Sequence, residues 1–501
     1  MTRRRPATTG RQRRLEKFTR SAVPLLLLCS ALLLAVQPEL RLAIPLLVGI
    51  TAFMMALLAL ALYSGEQTKQ LWPPSVILGV ALTLRLLFLF HPPQLSDDIY
   101  RHLWDGGNLL KGINPYASAP SSVTPSPELR AIHSRINHPE YVTIYPPTAQ
   151  LTAAVGAVGG SVTAFKALLV AVDLGLCVLL MQLLRLLGLP VGRVILYAWN
   201  PLPLLEIAGS GHLDGAGATL LMGALCLLLL GCRDGEAAPR CRPFFLSGVL
   251  LAAACLVKLF PLLLAPLFYL LTPASRRASL VTGFLGGMAA LLLPFSPQLA
   301  NIRGSLHAYA LNWEFAGALF TALRAVTGSG TVARVILAGS LLVLLLTTLR
   351  TLSRRLRTEL SPAARSRHGV EACYLLAMGF LLLTPTLHPW YTLSLAPFLP
   401  FCPAPAGIIL CWGVLLTYQV QIPFFILGEW REDSRITAGV FLAPVTAYLL
   451  ARMSQWWTAF SGIDSPRSLT STRAKPQGKR RNSGRANQLS RRQAKRSGSR
   501  E

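Results

Sequence analysis

The chain is poor in charged residues, and this scarcity excludes an ordinary soluble protein. Asp, Glu, Lys and Arg make up 14% of the 501 residues, whereas hydrophobic residues make up 52%. Soluble domains typically carry about 25% charged residues. A chain of this length has room for several soluble domains, but its composition points instead to a protein that faces lipid.

The sequence also lacks cysteine motifs for metal binding or redox chemistry, and a signal-peptide cleavage site. The nine cysteines show no metal-ligand or redox spacing, and most lie within apolar blocks, where small membrane-interior residues are expected. No convincing small-x-small cleavage site follows the first apolar block. We therefore interpret that block as a retained membrane anchor rather than as a signal peptide.

Long apolar blocks are what the sequence contains instead. Examples are 22–38, 42–63, 163–187, 213–231, 332–350 and 405–426. Blocks of about 20 residues match the ~30 Å hydrocarbon thickness of a bilayer. Helices are favoured because lipid cannot satisfy exposed backbone groups, and because the strands of a membrane barrel would alternate polar and apolar residues. We predict an all-α polytopic membrane protein with about 12–14 transmembrane helices.

Two basic tails flank the apolar region. Residues 1–20 have a net charge of +7 and residues 462–501 of +10, which is most of the total of +27. Their polar composition predicts disorder. Nucleic-acid binding would suit such tails, but basic segments beside membrane helices more typically contact anionic lipid headgroups. We predict a cytoplasmic segment (1–20), a transmembrane domain (21–455), a disordered cytoplasmic tail (456–501) and no nucleic-acid partner.

The distribution of Lys and Arg sets the predicted orientation, because short cytoplasmic loops are rich in both. The basic N-terminus starts inside, and three predicted spans bring the chain outside at His91. The longest polar connection, residues 92–147, is then the first outer loop. Arg-rich connections such as 350–369 fall inside. Seven of the eight histidines lie on or near the outer face, and polar groups gathered at one membrane face suggest a site there.

Two adjacent acids follow the third predicted span, in Ser96-Asp-Asp-Ile-Tyr-Arg-His-Leu-Trp-Asp-Gly. Asp97 and Asp98 cannot both face one direction on a helix, so one can point into a cavity while the other caps the helix or binds an ion. A carboxylate at the membrane–water boundary can serve as a general base. The alternative is that Ser96 or Asp97 simply caps a surface helix that begins at Ile99.

Further motifs are assigned to the same face: Gly112-Ile-Asn-Pro-Tyr116, Ile144-Tyr-Pro-Pro147, Gly211-His-Leu-Asp214, Val257-Lys-Leu-Phe-Pro261 and His388-Pro-Trp-Tyr391. Their aromatic rings can stack on sugars or anchor the chain at the bilayer interface. The ionisable pair His212 and Asp214 is costly at the start of a span and so suggests function. Lys258 needs an anionic partner, for which a lipid phosphate would serve. For each motif alone, a local helix cap or an interfacial anchor is the alternative.

In this order the motifs resemble those of the C-type (GT-C) multi-span glycosyltransferases, and more narrowly of the bacterial polyprenyl-phosphate-mannose-dependent mannosyltransferases. The resemblance covers roughly residues 70–430. It implies a GT-C-like fold with a helical first outer loop. It also implies an enzyme of the inner (cytoplasmic) membrane that transfers a sugar, with mannose expected, from polyprenyl phosphate. The acceptor would be a hydroxyl of a lipid-linked or glycan acceptor on the outer face, and transfer would invert the anomeric centre.

The resemblance further implies roles for individual residues. Asp98, rather than Asp97, stands before a hydrophobic residue and a Tyr as the catalytic acid of related enzymes does. The donor phosphate is expected at His388, Lys258 and Arg101. Substrate contacts are expected from Tyr100, Trp104, Asp105, Asn114, Tyr116, Tyr145, His212, Asp214, Trp390 and Tyr391. Relatives with pyrophosphate-linked donors bind a divalent metal through further acids; no clear set of that kind is seen, so neither metal nor cofactor is expected.

Two other classes of function fit part of the pattern. A lipid or solute transporter, or a flippase, would have many spans, but it predicts ionisable residues at the bilayer midplane and internal repeats. The sequence shows no clear repeat, and its polar motifs lie at the outer edge. A scaffolding protein of an envelope complex would not need the clustered acid, histidine and lysine.

Overall fold

The computed structural model describes residues 10–68, 72–233, 241–359 and 361–460. Most of the tail that we predicted to be disordered therefore lies outside the described residues, as does the chain before Gly10. Of the described residues, those from 10 to 451 belong to one compact unit and those from 452 to 460 to a second. The site described below lies entirely within the first unit.

The first helix begins earlier than the predicted boundary at residue 20. It runs over Gly10–Ala35, so residues 10–20 are helical and not disordered. Glu16 and Arg20 form an ion pair of 2.7 Å one helical turn apart, and the buried hydroxyl of Thr19 lies 3.1 Å from that of Ser64 on the next helix. These contacts stabilise the helix against the repulsion among its basic residues. At the other end, the last helix continues to Phe460, past the predicted boundary at 455.

Helices account for the fold, and the described residues contain no β-strand. The α-helices of seven or more residues are Gly10–Ala35, Ile44–Thr68, Pro74–Leu89, Asp98–Leu110, Pro147–Ala157, Val162–Leu186, Asp214–Arg233, Arg242–Cys255, Ala265–Leu271, Arg277–Leu292, Ile302–Asn312, Ala318–Thr327, Gly330–Thr358, Pro362–Leu382, Pro405–Gly413, Gln421–Leu427 and Ser434–Phe460. Two isolated β-bridges join Phe315 and Ala316 to Thr386. The prediction of an all-α protein is confirmed.

Eight helices in the described ranges are long and apolar enough to cross a membrane, judged by length and composition. They are Arg14–Ala35, Ile44–Gly65, Val162–Leu186, Asp214–Arg233, Ala274–Leu299, Gly330–Thr358, Pro405–Leu427 and Ser434–Ser454. Four shorter apolar helices, Pro74–Leu89, Arg242–Cys255, Phe260–Leu271 and Ala318–Thr327, accompany them. This is a polytopic membrane protein. The lower end of the predicted helix count needs four crossings besides these eight, for which the four shorter helices and Pro362–Leu382 are candidates.

A buried ion pair that no sequence motif indicated joins two of the apolar helices. Arg85 of Pro74–Leu89 and Asp173 of Val162–Leu186 are both fully buried, with 2.5 Å between Nε and Oδ2. Tyr197 donates to the other oxygen of Asp173, and Arg85 Nη1 donates to the Ala81 and Ala198 carbonyls. A charge inside an apolar bundle is stable only with such partners. We call Arg85, Asp173 and Tyr197 the sealed cluster.

The connection that follows Leu89 is ordered and partly helical. It carries the helix Asp98–Leu110, which we call the loop helix, and then short turns as far as Pro147. The loop helix packs closely on Pro147–Ala157, because a Cβ at Gly106 would lie 2.3 Å from the carbonyl oxygen of Ala153. This approach, which only glycine permits, fixes the position of the loop helix and thereby of the acid at its start.

Candidate active site

Asp98 is the first residue of the loop helix, and both of its carboxylate oxygens accept hydrogen bonds. Asn137 Nδ2 donates to Oδ1 at 3.0 Å, and the Tyr145 hydroxyl donates to Oδ2 at 3.0 Å. The side chain is nevertheless 16% exposed. An oriented carboxylate that still reaches solvent can meet a substrate.

Asp97 points into a different environment. It occupies the N-cap position of the loop helix but makes no side-chain capping bond. Burial raises the pKa of its carboxyl, and the nearby positive charges of Arg41 and Arg135 oppose that rise. The two acids therefore diverge as the sequence predicts, and only Asp98 faces the histidines described below.

His212 approaches Asp98 from a tight turn between helices. Its Nδ1 lies 3.9 Å from Asp98 Oδ2, and its side chain is 2% exposed. The preceding residue, Gly211, has φ +80°, and a Cβ at this position would lie 2.4 Å from Ile99 Cδ1. Glycine is thus required twice, for the backbone conformation and for the close approach of the turn to the loop helix.

Four rings stack in a column beside these residues. Phe315 stacks on His388 at 4.6 Å between ring centroids, His388 on Trp390 at 4.4 Å, and Trp390 on His212 at 4.2 Å. Backbone bonds hold the two segments together, because Leu387 N donates to the Phe315 carbonyl at 2.7 Å. The ring column, as we call it, fixes the orientation of both imidazoles, since offset stacking favours one relative geometry.

A lysine–aspartate pair completes the cluster. Lys258 forms an ion pair and a hydrogen bond with Asp214, and its ammonium lies 4.0 Å from the centroid of the Tyr391 ring. The Tyr391 hydroxyl contacts that of Tyr309. The predicted need of Lys258 for an anionic partner is correct, but the partner in the structure is a carboxylate of the chain. Lys258 remains 34% exposed, so it can also reach a second anion.

Several residues predicted to bind substrate are instead buried within the loop region. Tyr100 lies under the guanidinium of Arg135 at 4.3 Å, Trp104 packs on His133, and Tyr116 donates to the Tyr145 carbonyl. All three rings are at most 4% exposed, so none offers a free face to a sugar. Asn114 accepts from the Tyr116 backbone N–H and thereby forms a local turn.

Arg101 is likewise engaged within the protein. Its Nε donates to Asp105 Oδ1 at 3.0 Å and its Nη2 to the Tyr141 carbonyl at 3.0 Å, and both side chains of the pair are buried. Gln150 Nε2 also approaches Asp105, at 3.4 Å. The pair orders the loop helix against the segment that follows it, and neither Arg101 nor Asp105 is directed to the Asp98 cluster by these contacts.

Electrostatics favour the ionised form of Asp98. Burial alone would raise the pKa of its carboxyl, but the neighbouring His212 and His102, together with the Asn137 amide, outweigh burial and hold the pKa below its usual value. Hydrogen bonds to a carboxylate stabilise its charged form. A carboxylate that is ionised at neutral pH can accept a proton there.

Three polar residues at the site escaped the sequence analysis. Asn137 stands 39 positions from Asp98, and no local pattern connects the two. Tyr418 donates to both oxygens of Glu206, at 2.8 and 3.0 Å, although 212 positions separate them. Glu206 is fully buried, and an acid within an apolar stretch was the one signal that could have revealed it.

A metal site is not evident from the side chains that the structure describes. Among those residues, no group of three or more His, Cys, Asp or Glu side chains is arranged to hold a metal ion. The metal independence expected from the sequence stays a prediction.

The fold and the site define a membrane-embedded enzyme with a carboxylate, histidines and a lysine gathered at helix ends. Residues 22–274 match the family described as alpha-(1->6)-mannopyranosyltransferase, N-terminal domain. The chain belongs to this family and is a glycosyltransferase with mannosyltransferase activity, as its motifs predict. The match includes Asp98, His212 and Lys258 but ends before His388. No curated protein and no solved structure matches the chain.

Proposed function

We propose that this mannosyltransferase moves mannose from polyprenyl phosphate to a hydroxyl of a lipid-linked or glycan acceptor, with inversion and with Asp98 as the general base. The observation that carries the proposal is the setting of Asp98. Its carboxylate is oriented by two donors, partly exposed, and next to His212. General bases need this combination of orientation, ionisation and access.

The transfer is a single displacement. The acceptor hydroxyl gives its proton to Asp98 while its oxygen forms a bond to the anomeric carbon of the donor sugar. The bond from that carbon to the phosphate oxygen breaks, and polyprenyl phosphate leaves with the electron pair. One displacement inverts the anomeric centre. An α-linked product, as in the family description, therefore requires a β-linked donor sugar.

His388 and Lys258 are proposed to hold the donor phosphate. Stacking between Phe315 and Trp390 holds the His388 ring rigidly, so that a ring N–H can donate to an oxyanion. Lys258 is exposed enough to contact a phosphate while Asp214 and the Tyr391 face retain it. Arg101 is left out of this assignment, because its guanidinium is already bound to Asp105 and the Tyr141 carbonyl.

An acceptor surface is proposed next to Asn137, which donates to Asp98. The following residue, His138, has φ +50°, a strained conformation for a non-glycine residue. Its ring lies 4.9 Å from that of Trp313, which also packs on Tyr141 at 5.8 Å. Aromatic rings near a catalytic acid suit the apolar faces of a sugar acceptor.

The proposed orientation supplies the reason for a lipid-linked donor. The Lys and Arg asymmetry of the sequence favours cytoplasmic termini in the inner membrane and a site on the outer face. Nucleotide sugars are cytosolic, so an outward site has no ready supply of them. A lipid carrier that has crossed the bilayer provides the sugar, and the apolar helices surrounding the site suit its chain.

Reconstitution tests the proposal. Purified protein in liposomes receives radiolabelled polyprenyl-phosphate-mannose and membrane lipid extract, with and without EDTA, and the Asp98→Asn variant is measured in parallel. We expect transfer by the wild type in both buffers and its loss in the variant. Equal transfer by both proteins would remove Asp98 as the base. If neither transfers sugar but labelled lipid crosses the bilayer, the protein is a flippase.

A further inference from the structure

Glu206 is a buried carboxyl group behind the site, and the transfer mechanism above does not use it. It lies in the π-helical segment Leu204–Gly209, and its side chain has no exposed surface. The Tyr418 hydroxyl donates to its oxygens at 2.8 and 3.0 Å. Isolated π-helical turns occur frequently at functional sites, because they cost backbone stability.

Glu206 and His212 contact each other through both their backbones and their side chains. The backbone N–H of His212 donates to the Glu206 carbonyl at 3.0 Å, and the side-chain atoms Nε2 and Oε2 lie 3.5 Å apart. Yet Nε2 is buried without a hydrogen-bond partner. A buried polar atom without a partner is costly, and here the group that faces it is the Glu206 carboxyl.

The charge of Glu206 follows from its surroundings. Within the described ranges no Lys or Arg is ion-paired with it, and Asp98 and Asp214 are its nearest negative neighbours. A buried carboxylate with neither cation nor solvent is costly, so the neutral acid is the stable form. A neutral carboxyl can donate its proton in a hydrogen bond, whereas a carboxylate can only accept.

We propose that Glu206 is a positioning residue for the transfer reaction: its protonated carboxyl donates to Nε2 of His212 and so keeps the ring proton of His212 on Nδ1, facing Asp98. The proposal rests on the proposed function of Asp98. The hydrogen bond made by one imidazole nitrogen decides which tautomer the ring adopts.

The consequence for Asp98 is electrostatic. With the proton on Nδ1, His212 presents a donor to Asp98 Oδ2 and stabilises the ionised base. If Glu206 loses its proton, it attracts the ring proton to Nε2, and Nδ1 then presents a lone pair to the Asp98 carboxylate. The groups that also face His212 are Lys258, His102 and His388. All three are the same in the variants below, so they do not account for differences among them.

Two variants of Glu206 separate this role from a structural one. Gln keeps a donor that can face Nε2 and an acceptor for Tyr418 but cannot ionise, whereas Leu keeps neither. We expect Glu206→Gln to retain wild-type kcat within a few-fold near neutral pH, and Glu206→Leu to lose about 10- to 100-fold in kcat with little change in KM. The wild type should lose activity at high pH as Glu206 ionises, and Glu206→Gln should lack that alkaline decline.

A measurement of the His212 tautomer without substrate tests this proposal independently of the proposed function. In protein labelled with ¹⁵N on the histidine rings, the His212 signal is assigned by its loss in His212→Ala. We expect the proton on Nδ1 in the wild type and in Glu206→Gln. A proton on Nε2 in the wild type overturns the proposal, and so does a Glu206→Gln variant that is folded but as inactive as Asp98→Asn. If Glu206→Leu does not fold, the Gln variant decides alone.

Discussion

Two clusters of charged side chains in the described part of the chain are built differently. In the sealed cluster, Arg85 and Asp173 are both fully enclosed, and each oxygen of Asp173 accepts a short hydrogen bond. In the site cluster, Asp98 and Lys258 reach the surface, with 16% and 34% of their side chains exposed. His212 is buried there with one nitrogen unpaired.

The difference distinguishes a polar group that holds helices together from one that performs chemistry. A sealed ion pair is fully desolvated and stable only while both partners remain. A group that must exchange protons or bind an anion needs access to solvent or substrate. The sealed cluster lacks this access, although Arg85 Nη2 has no hydrogen-bond partner there. We expect changes in the first cluster to act on stability and changes in the second to act on rate.

The largest effect on stability is expected from Arg85→Met. This substitution leaves Asp173 buried without its cation, and breaking a buried pair in this way costs about 3–5 kcal/mol of unfolding free energy. Unfolding in detergent, followed by circular dichroism, measures it. The matched control is Arg355→Met, which breaks an exposed pair with Glu371 and should cost less than about 1 kcal/mol. Equal losses in the two variants would contradict the distinction.

A smaller, rate-specific effect is expected from Gly211→Ala. The added Cβ would collide with Ile99 and strain the backbone, which moves His212 away from Asp98. Misplacement of a catalytic group by about 1 Å can cost about 100-fold in rate. Gly188→Ala is the control, because Gly188 has a similar φ of +66° but no atom within 4 Å of its Cβ position. A control that loses as much transfer activity would show that strain alone explains the effect.

The smallest expected effect is a shift in pH dependence from Asn137→Leu. Asp98 must be ionised to act, and its pKa is held below the usual value in part by the Asn137 amide. Wild-type activity is therefore retained as pH falls until it passes through that lowered pKa. Removing the amide raises the pKa of Asp98, so the acidic limb of kcat/KM should move to higher pH. An unchanged acidic limb would mean that this bond does not tune the base.

The sequence was sufficient for those features that local chemistry determines. Apolar blocks predicted the membrane helices. The resemblance to related enzymes favoured Asp98 over Asp97 as the base, and this choice stays a prediction; of the two acids, Asp98 is the one that lies next to His212. His212, Lys258 and His388 were expected on one face, and the structure brings them together. In each case an ionisable residue, which is energetically costly next to an apolar segment, indicated a site.

What the sequence could not supply was the pairing of distant residues. Asp214 as the partner of Lys258 and Tyr418 as that of Glu206 depend on which helix ends meet, 44 and 212 positions apart. The sequence also could not show which aromatic side chains of the loop are buried. Tyr100, Trp104 and Tyr116 were expected to bind substrate, but they are buried against Arg135, His133 and the Tyr145 carbonyl respectively. The same pattern of polar and apolar residues is compatible with a buried loop and with an exposed one, so the sequence does not distinguish them.

The most direct test of the central claim compares Asp98→Asn with Asp97→Asn in the same reconstituted transfer assay. The two residues are adjacent and the substitutions identical, so expression, folding and net charge are matched. If Asp98 is the base, its variant should lose about 100- to 10,000-fold in kcat, while the Asp97 variant stays within a few-fold of the wild type. Similar activity in the two variants, or a larger loss at Asp97, would contradict the account.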